Sequence, residues 1–363
     1  MMIKAKIIPT VSFIMFFIFF ITPVVLAGAL EDSKASEKTR VQGKIDEAIR
    51  LATRAIESGE LSSQNLAVTY NNRGICWRRK GQLEKALSDF TRSIEINPEN
   101  FVSYNIRGGL FNQMGEYDRA VADLTKCIEL NPKYAAGYGN RGIALEKKGD
   151  YDRAMADFNK TIELNPKYAE VYSSRGKIWF KKGNYTNADA DYSKAIELKS
   201  NYAEAYLGRG LLWYQRRDHD KAIADLSRAM ELDPNFAKAY NILLYRGNAY
   251  NSKRDYSKAI SDFTKAIEIN PKSTTAYFYR GGACYKQGNY DCAIHDFTRA
   301  IEINPKNANG YFNRGLALYR KKDYDRALAD FEKTLAINPR YIKAQKLREK
   351  IKELKGKQKN GQS

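Results

Sequence analysis

An arginine and an aspartate recur at a fixed spacing along this chain and are its most regular candidates for chemistry. An Arg-Gly pair occurs eight times, and an aspartate follows each arginine after sixteen residues. A guanidinium and a carboxylate can form a bidentate ion pair through two parallel hydrogen bonds. We therefore predict a structural ladder of ion pairs, with an arginine row that clamps ligand carboxylates as the alternative. The predicted pairs are Arg73–Asp89, Arg107–Asp123, Arg141–Asp157, Arg175–Asp191, Arg209–Asp225, Arg246–Asp262, Arg280–Asp296 and Arg314–Asp330.

Catalytic chemistry has little support in the sequence. The chain has two histidines, and one of them, His219, replaces a tyrosine that recurs at the same place in other copies. No nucleophile, base and orienting group can be assembled, and no phosphate-binding loop is present. We predict a protein without catalytic residues, metal site or cofactor.

The four cysteines form no metal or redox motif. They are Cys76, Cys127, Cys284 and Cys292. Cys127 takes a slot that holds Ser, Thr or Ala in other copies, which predicts a small buried residue. A disulfide between Cys284 and Cys292 is conceivable in an oxidising compartment, because both lie in facing helices of one copy. We do not predict that it forms.

A period of 34 residues positions these side chains. It is set by the glycines of the Arg-Gly pairs, with one wider gap after the fifth, and they are Gly74, Gly108, Gly142, Gly176, Gly210, Gly247, Gly281 and Gly315. Each copy contains two helices, which in the first copy are predicted at 70–79 and 83–96 with Gly81 in the turn. An alanine recurs in every second helix, as close helix packing requires. Repetition at this period predicts a stacked array.

The recurring residues resemble the tetratricopeptide repeat (TPR), a pattern of aromatic, glycine, alanine and proline residues. In the third copy the corresponding residues are Tyr138, Gly142, Leu145, Ala154, Phe158 and Pro166, of which Leu145 is aliphatic where the family prefers an aromatic residue. The resemblance covers 67–341 and implies an all-α fold, an α-solenoid coiled as a right-handed superhelix of about eight helix-turn-helix repeats. It looks like the exported bacterial TPR proteins. It implies protein binding but identifies no partner.

The sequence predicts five regions along the chain. They are a signal peptide at 1–29, an N-terminal segment with a degenerate half-repeat at 30–66, repeats one to five at 67–239, repeats six to eight at 240–341, and a basic capping helix and tail at 342–363. Three extra residues separate the fifth copy from the sixth. We place them within 241–245, which predicts a first helix about one turn longer in the sixth copy. Ser200 replaces a proline that ends other copies, which predicts a more continuous helix there.

The N-terminus has the pattern of a secretory signal peptide. Lys4 and Lys6 precede an apolar run that ends near the small residues at 27–29, which are typical of a cleavage site. An uncleaved signal anchor is the alternative, since the charge-free stretch is long enough to span a bilayer. We expect an exported protein, periplasmic or secreted, with an inner-membrane anchor as the alternative.

The resemblance implies a concave groove lined by the first helices. Mapping that face predicts amides in the early copies and aromatic residues in the late ones. Asparagine amides can bond an extended peptide backbone, while Tyr and Phe supply anchoring area. The predicted groove residues are Asn71, Asn72, Asn105, Asn140, Tyr214, Tyr245, Asn248, Phe278, Tyr279, Tyr285, Phe312, Asn313 and Tyr319.

These patterns favour a non-enzymatic scaffold in a cell envelope that binds an extended peptide or a partner helix. The formal charge is +19, and nine basic residues stand against two acidic ones from Arg340 onward. This charge suggests an alternative, a basic solenoid that binds an anionic surface or polymer such as polysaccharide, lipopolysaccharide or nucleic acid. Secretion argues against nucleic acid. A third alternative is a membrane-tethered assembly factor, if the leader is not cleaved.

Overall fold

The computed structural model of the chain describes residues 28–234 and 239–360. These residues form helices and no strand. The helices are α1 (28–41), α2 (Ile45–Glu57), α3 (Ser63–Arg79), α4 (Leu83–Ile96), α5 (Phe101–Met114), α6 (Tyr117–Leu130), α7 (Ala135–Lys148), α8 (Tyr151–Leu164), α9 (Ala169–Lys181), α10 (Tyr185–Leu198), α11 (Ala203–Gln215), α12 (His219–Leu232), α13 (Ala239–Ser252), α14 (Tyr256–Ile269), α15 (Thr274–Gln287), α16 (Tyr290–Ile303), α17 (Ala308–Arg320), α18 (Tyr324–Ile337) and α19 (Ile342–Asn360).

The chain divides into two compact units, Met1–Ile178 and Trp179–Ser363. Within each unit the helices pack in chain order as antiparallel hairpins, a first helix against a second helix. The predicted fold class, an all-α solenoid of tandem helical repeats, is confirmed. None of the helices in the described ranges is long and apolar enough to cross a membrane.

Each hairpin turns through one residue of positive φ. In five copies this residue is a glycine, such as Gly149 at φ 86°. Three copies instead have Arg217, Arg254 and Lys322, at φ 62°, 65° and 64°. The position therefore requires the left-handed conformation, which costs free energy for a residue with a Cβ atom.

Small residues bring the two helices of a hairpin together. The alanine of the second helix is fully buried in all eight copies. The glycine of the first helix faces the large apolar residue of its own hairpin: a Cβ atom on Gly74 would lie 2.5 Å from Cε1 of Phe90. Any larger side chain at these positions would force the helix axes apart.

The N-terminal segment forms a complete hairpin, so the predicted half-repeat is wrong. Helix α1 precedes α2, and Gly43 makes the turn between them at φ 82°. The buried residues of α1 are small: Ala29, Ser33 and Ser36. The Ser36 hydroxyl donates to the Ala48 carbonyl at 2.7 Å. Because α1 packs through small and polar side chains, its sequence shows little helical hydrophobic periodicity.

Helix α19 closes the C-terminal end. It occupies the place of a further first helix, since Lys355 pairs with Asp325 as Lys321 pairs with Asp291 in the preceding copy. Ile351 is fully buried against α18, whereas Ile342 is 63% exposed. Ile342 is the first residue of α19 and lies outside this contact.

Of the two predicted irregularities, the continuous helix at Ser200 is not observed, and the three-residue insertion lies at a different place from the one predicted. Helix α10 ends at Leu198 although Ser200 replaces the proline, and its cap Lys199 has the same backbone angles as Asn165 after α8. The described part of helix α13 begins at Ala239, directly after residues 235–238, which lie outside the description, and it has 14 residues, like α15. The predicted extra turn therefore stays a prediction. A TPR sequence model matches 203–236 and then 240–273, so the insertion precedes residue 240. Part of it falls on 235–238, outside the described residues.

Candidate functional site

The arginines of the predicted ladder use their hydrogen-bond donors inside the fold. In Arg141, Nε and Nη2 donate to the two carboxylate oxygens of Asp157, both at 2.8 Å. Its Nη1 donates to Thr125 in the preceding second helix at 3.1 Å, and the guanidinium also lies over the Tyr138 ring at 5.8 Å. Each arginine thus joins its own hairpin to the previous one.

The same bidentate contact, at 2.7–2.9 Å, occurs in seven of the predicted pairs. They are Arg73–Asp89, Arg107–Asp123, Arg141–Asp157, Arg209–Asp225, Arg246–Asp262, Arg280–Asp296 and Arg314–Asp330. The hydrogen bond to Asp157 raises the pKa of Arg141 although burial acts in the opposite direction. Arg175 and Asp191 fall on opposite sides of the division between the units, and Arg175 donates to Asn159 at 2.7 Å. This geometry favours a structural role over a ligand clamp.

A second set of ion pairs, which the sequence reading missed, joins neighbouring hairpins near the surface. A lysine at the end of a first helix pairs with an aspartate at the start of the preceding second helix. The pairs are Lys80–Asp46, Lys148–Asp118, Lys253–Asp220, Lys321–Asp291 and Lys355–Asp325. The recurrence of these residues at fixed positions in the copies was the signal that could have revealed them.

The predicted amides of the first unit bond mainly to other parts of the fold. Asn71 and Asn72 are buried, and Asn71 donates to Ser103 at 2.8 Å. Asn140 donates to the side-chain oxygen of Asn105 at 2.9 Å, and Asn112 donates to the Asn140 carbonyl at 2.9 Å. These contacts favour a structural role for Asn71, Asn105 and Asn140 over the predicted role in peptide binding, and Asn72 is too buried to face an open groove.

The predicted aromatic residues of the second unit include a cluster on three neighbouring first helices. We call Tyr214, Tyr245 and Tyr279, on α11, α13 and α15, the tyrosine cluster. The rings of Tyr214 and Tyr245 meet edge to face with centroids 5.3 Å apart. Burial raises the pKa of Tyr214, and the nearby Tyr279 and Tyr245 raise it further. Tyr245 and Tyr279 are 39% and 36% exposed, among the few large apolar side chains that reach solvent in the described residues.

An open depression of about 250 Å³ lies beside the tyrosine cluster. It is lined by Thr274, Thr275, Phe278, Tyr279, Asn307 and Asn309. These residues come from the beginnings of α15 and α17, so the depression crosses two adjacent first helices. It combines aromatic surface with hydroxyl and amide groups, the mixture that binds an extended backbone and its side chains.

The remaining predicted aromatic residues are partly or wholly structural. Phe312 is buried against Phe331 and Tyr341, with centroids at 5.7 and 4.7 Å, so its assignment to an open groove was wrong. Phe278 is half-buried and packs edge to face on Phe297 at 5.6 Å.

Tyr285 and Tyr319 are half-buried, and each packs on a tyrosine of its own second helix at 5.6 Å. The Arg320 side chain donates to the Tyr285 hydroxyl at 3.1 Å. Asn248 and Asn313 are half-buried on the same first-helix surface.

A disulfide links Cys284 and Cys292, and so joins α15 to α16. The expectation that this bond does not form is wrong, because the two cysteines lie in facing helices with their Cα atoms 5.9 Å apart. Cys76 and Cys127 are free and buried, and burial raises the pKa of Cys127 to about 11, which keeps its thiol protonated at neutral pH. Asp296 lies near the disulfide, but its carboxylate is bonded to Arg280. These groups are committed to the fold.

Sequence models of the tetratricopeptide repeat match most of the chain. One model matches 67–100, 135–168, 203–236, 240–273 and 308–341, and another matches 108–149, 176–216 and 281–322. Together they leave few residues unmatched between 67 and 341. None of the curated proteins matches the chain.

We describe two of the solved structures that share the fold. One is YrrB, described as a TPR protein with an unusual peptide-binding site; it is 24% identical, with a TM-score of 0.50, over 53% of this chain and 97% of that one. The other is the C-terminal part of a TPR repeat-containing protein from Cytophaga hutchinsonii, 21% identical with a TM-score of 0.53, over 65% of this chain and 96% of that one.

Proposed function

Because the chain belongs to the tetratricopeptide repeat family, whose repeats indicate a protein–protein interaction scaffold, we propose that it binds an extended segment of a partner protein on the second unit. The proposed site is the tyrosine cluster together with the adjoining depression. Binding there requires no catalysis, and we propose a non-enzymatic role. An extended segment fits better than a bulky domain, since the exposed rings and the depression follow successive first helices.

The exposure of Tyr245 and Tyr279 is the observation that carries this proposal. Tyrosine offers a rigid apolar ring and a polar hydroxyl, and is enriched among the residues that dominate interface binding energy. Most other large aromatic side chains of the second unit that the structure describes are at least partly covered. Two tyrosines left in solvent on neighbouring helices are therefore better placed to contact a partner than to stabilise the fold.

Site-specific photocrosslinking tests the proposal. A photoreactive phenylalanine analogue replaces Tyr279 in the full chain, and the same analogue replaces Ile269 as the control. Ile269 is 54% exposed but ends a second helix, α14. We expect a defined crosslinked protein from position 279 and none from position 269. The identified partner should then bind the Tyr245→Ser variant at least tenfold more weakly, as is typical of an aromatic anchor. Equal crosslinking from both positions would contradict the proposal.

The charge of the second unit supports one alternative, a site for an anionic polymer. Trp179–Ser363 contains 35 Lys and Arg against 21 Asp and Glu, whereas Met1–Ile178 contains 26 against 21. Lys343, Lys346 and Lys350 on α19 are exposed, and no acidic side chain of the described residues pairs with them. Binding to lipopolysaccharide that vanishes at moderate salt and survives Tyr245→Ser would favour this alternative.

We also propose that the protein is exported. The apolar leader and the Cys284–Cys292 disulfide support this location, since such bonds persist in oxidising compartments. The predicted signal peptide falls almost entirely on 1–27, outside the described residues. The mass of the protein isolated from the envelope fraction tests the proposal. Cleavage after Ala27 would retain all the described residues of α1, and an intact leader would instead favour the membrane-tethered alternative.

A further inference from the structure

Three arginines lie close together at the N-terminal end of the first unit. Arg78 and Arg79 end α3, and Arg79 donates to the backbone carbonyl of Arg40 at 3.2 Å. Among the described residues the one ion pair of this group joins Arg40 to the exposed Glu37 at 3.8 Å. The Arg40 Nε atom is buried without a hydrogen-bond partner. The group therefore carries an excess of positive charge that the described fold does not neutralise.

Arg78 differs from Arg73, which lies on the same helix. Arg73 donates to Asp89 through two nitrogens, at 2.9 and 2.8 Å, and to Thr53 through the third. Arg78 is also half-buried, but no carboxylate of the described residues lies within ion-pair distance of it. Burial lowers the pKa of Arg78, and its neighbour Arg79 lowers it further. A partly desolvated guanidinium without an anion is costly, which is the condition that binding a carboxylate relieves.

The surroundings of Arg78 leave room for a ligand. Its side chain reaches the adjacent first helix α5 at Gly109, where a Cβ atom would lie 4.0 Å from the Arg78 Nη1 atom and within 4 Å of no other atom of a neighbouring helix. Arg78 takes the same place in its repeat as Tyr214 of the tyrosine cluster takes in another. It therefore lies on the first-helix face, where a segment bound across α3 and α5 would pass.

We propose that Arg78, assisted by Arg40 and Arg79, forms a carboxylate-binding site that holds an acidic side chain of a protein segment on the first unit. The site is separate from the tyrosine cluster and does not depend on it. A guanidinium binds a carboxylate through parallel hydrogen bonds, so an acidic segment fits better than a neutral one. Because the group has more arginines than acidic partners, it favours a negatively charged ligand.

The test uses the full chain and fluorescein-labelled synthetic peptides measured by fluorescence anisotropy. One peptide alternates Gly and Glu with an amidated C-terminus, and its neutral counterpart alternates Gly and Gln. We expect the acidic peptide to bind more tightly. Arg78→Gln should weaken its binding by about tenfold or more, the loss expected for a charge-assisted hydrogen bond. Tyr245→Ser should leave this binding unchanged.

Arg50→Gln is the matched control. Arg50 is exposed on α2, and its substitution removes the same charge from the same unit. Equal weakening by Arg50→Gln and Arg78→Gln would show a general charge effect and overturn the proposal. A neutral peptide with a free C-terminal carboxylate distinguishes the source of the carboxylate: tight binding that Arg78→Gln removes would assign the site to a chain terminus. Arg78→Gln should also keep or raise the melting temperature. A fall like that of Arg73→Gln, without loss of peptide binding, would overturn the proposal.

Discussion

The first helices of the two units use equivalent positions for opposite purposes. In the first unit, Asn105, Asn112 and Asn140 connect neighbouring first helices through hydrogen bonds to one another. In the second unit, Tyr245 and Tyr279 reach solvent. The bidentate Arg–Asp contact within each hairpin is the same in both units. The repeat therefore determines the backbone independently of the side chains on the exposed surface of the first helices. That surface can be structural in one unit and available to a partner in the other.

Substitutions in the Arg–Asp ladder that both units share should have the largest effect on stability, and they test whether the two units have a common scaffold. Arg141→Gln in the first unit and Arg280→Gln in the second should each lower the free energy of unfolding by about 3 kcal/mol, because each removes the arginine partner of a buried aspartate. Asp157 and Asp296 are 5% and 0% exposed. Denaturant unfolding of the purified chain measures the cost.

The control for the ladder is Arg119→Gln, since Arg119 makes an exposed ion pair with Glu116. Its cost should be within about 0.5 kcal/mol. A large cost in one unit with a negligible cost in the other would mean that the ladder is not the common scaffold, and the two faces could not then be compared on equal terms.

The disulfide gives the next largest effect and separates the units directly. Reducing Cys284–Cys292, which are eight residues apart, should destabilise the second unit by about 2 kcal/mol. The first unit should not respond, since Cys76 and Cys127 are free. Hydrogen exchange measured by mass spectrometry should therefore rise in α15 and α16 after reduction.

The double variant Cys284→Ser, Cys292→Ser is the control for reduction. Its exchange pattern should match that of the reduced protein and should not change when reductant is added. Faster exchange in α5 and α6 after reduction of the wild-type chain would contradict the assignment of the effect to this bond.

The sequence predicted the ladder because recurrence reveals it. Every copy has an arginine and an aspartate at the positions of Arg141 and Asp157, always sixteen residues apart. Their pairing therefore follows from the repeat itself. The pair Asn105–Asn140 was missed as a structural contact, because it joins two copies and occurs once. Helix α1 was missed because Ser33 and Ser36 pack through hydroxyl groups and small volume. Sequence reasoning therefore identified the Arg–Asp pair that every copy repeats within itself. It missed the recurring Lys–Asp pairs that join neighbouring copies, and it failed where a face depends on one particular neighbour.

Asn140→Ala sharpens the comparison with a smaller effect. The substitution removes the donor to Asn105 and should cost about 1 kcal/mol, the usual value for one intramolecular hydrogen bond. The control is Asn248→Ala in the second unit, where the half-buried amide has no hydrogen bond among the described contacts. A lower melting temperature for the first variant alone would support a structural amide face. Equal melting temperatures would contradict it.

Tyr245→Ser should have the smallest effect on stability. The ring is 39% exposed and has one aromatic neighbour, Tyr214, so its loss should cost at most about 1 kcal/mol. Phe312→Ser is the informative counterpart, because both residues were assigned to one groove from sequence but Phe312 is buried. Thermal unfolding should show a marked loss of stability for Phe312→Ser alone. If Tyr245→Ser were equally destabilising, the exposed tyrosines would contribute to the packing of the second unit. The first-helix surfaces of both units would then be structural, although their side chains differ.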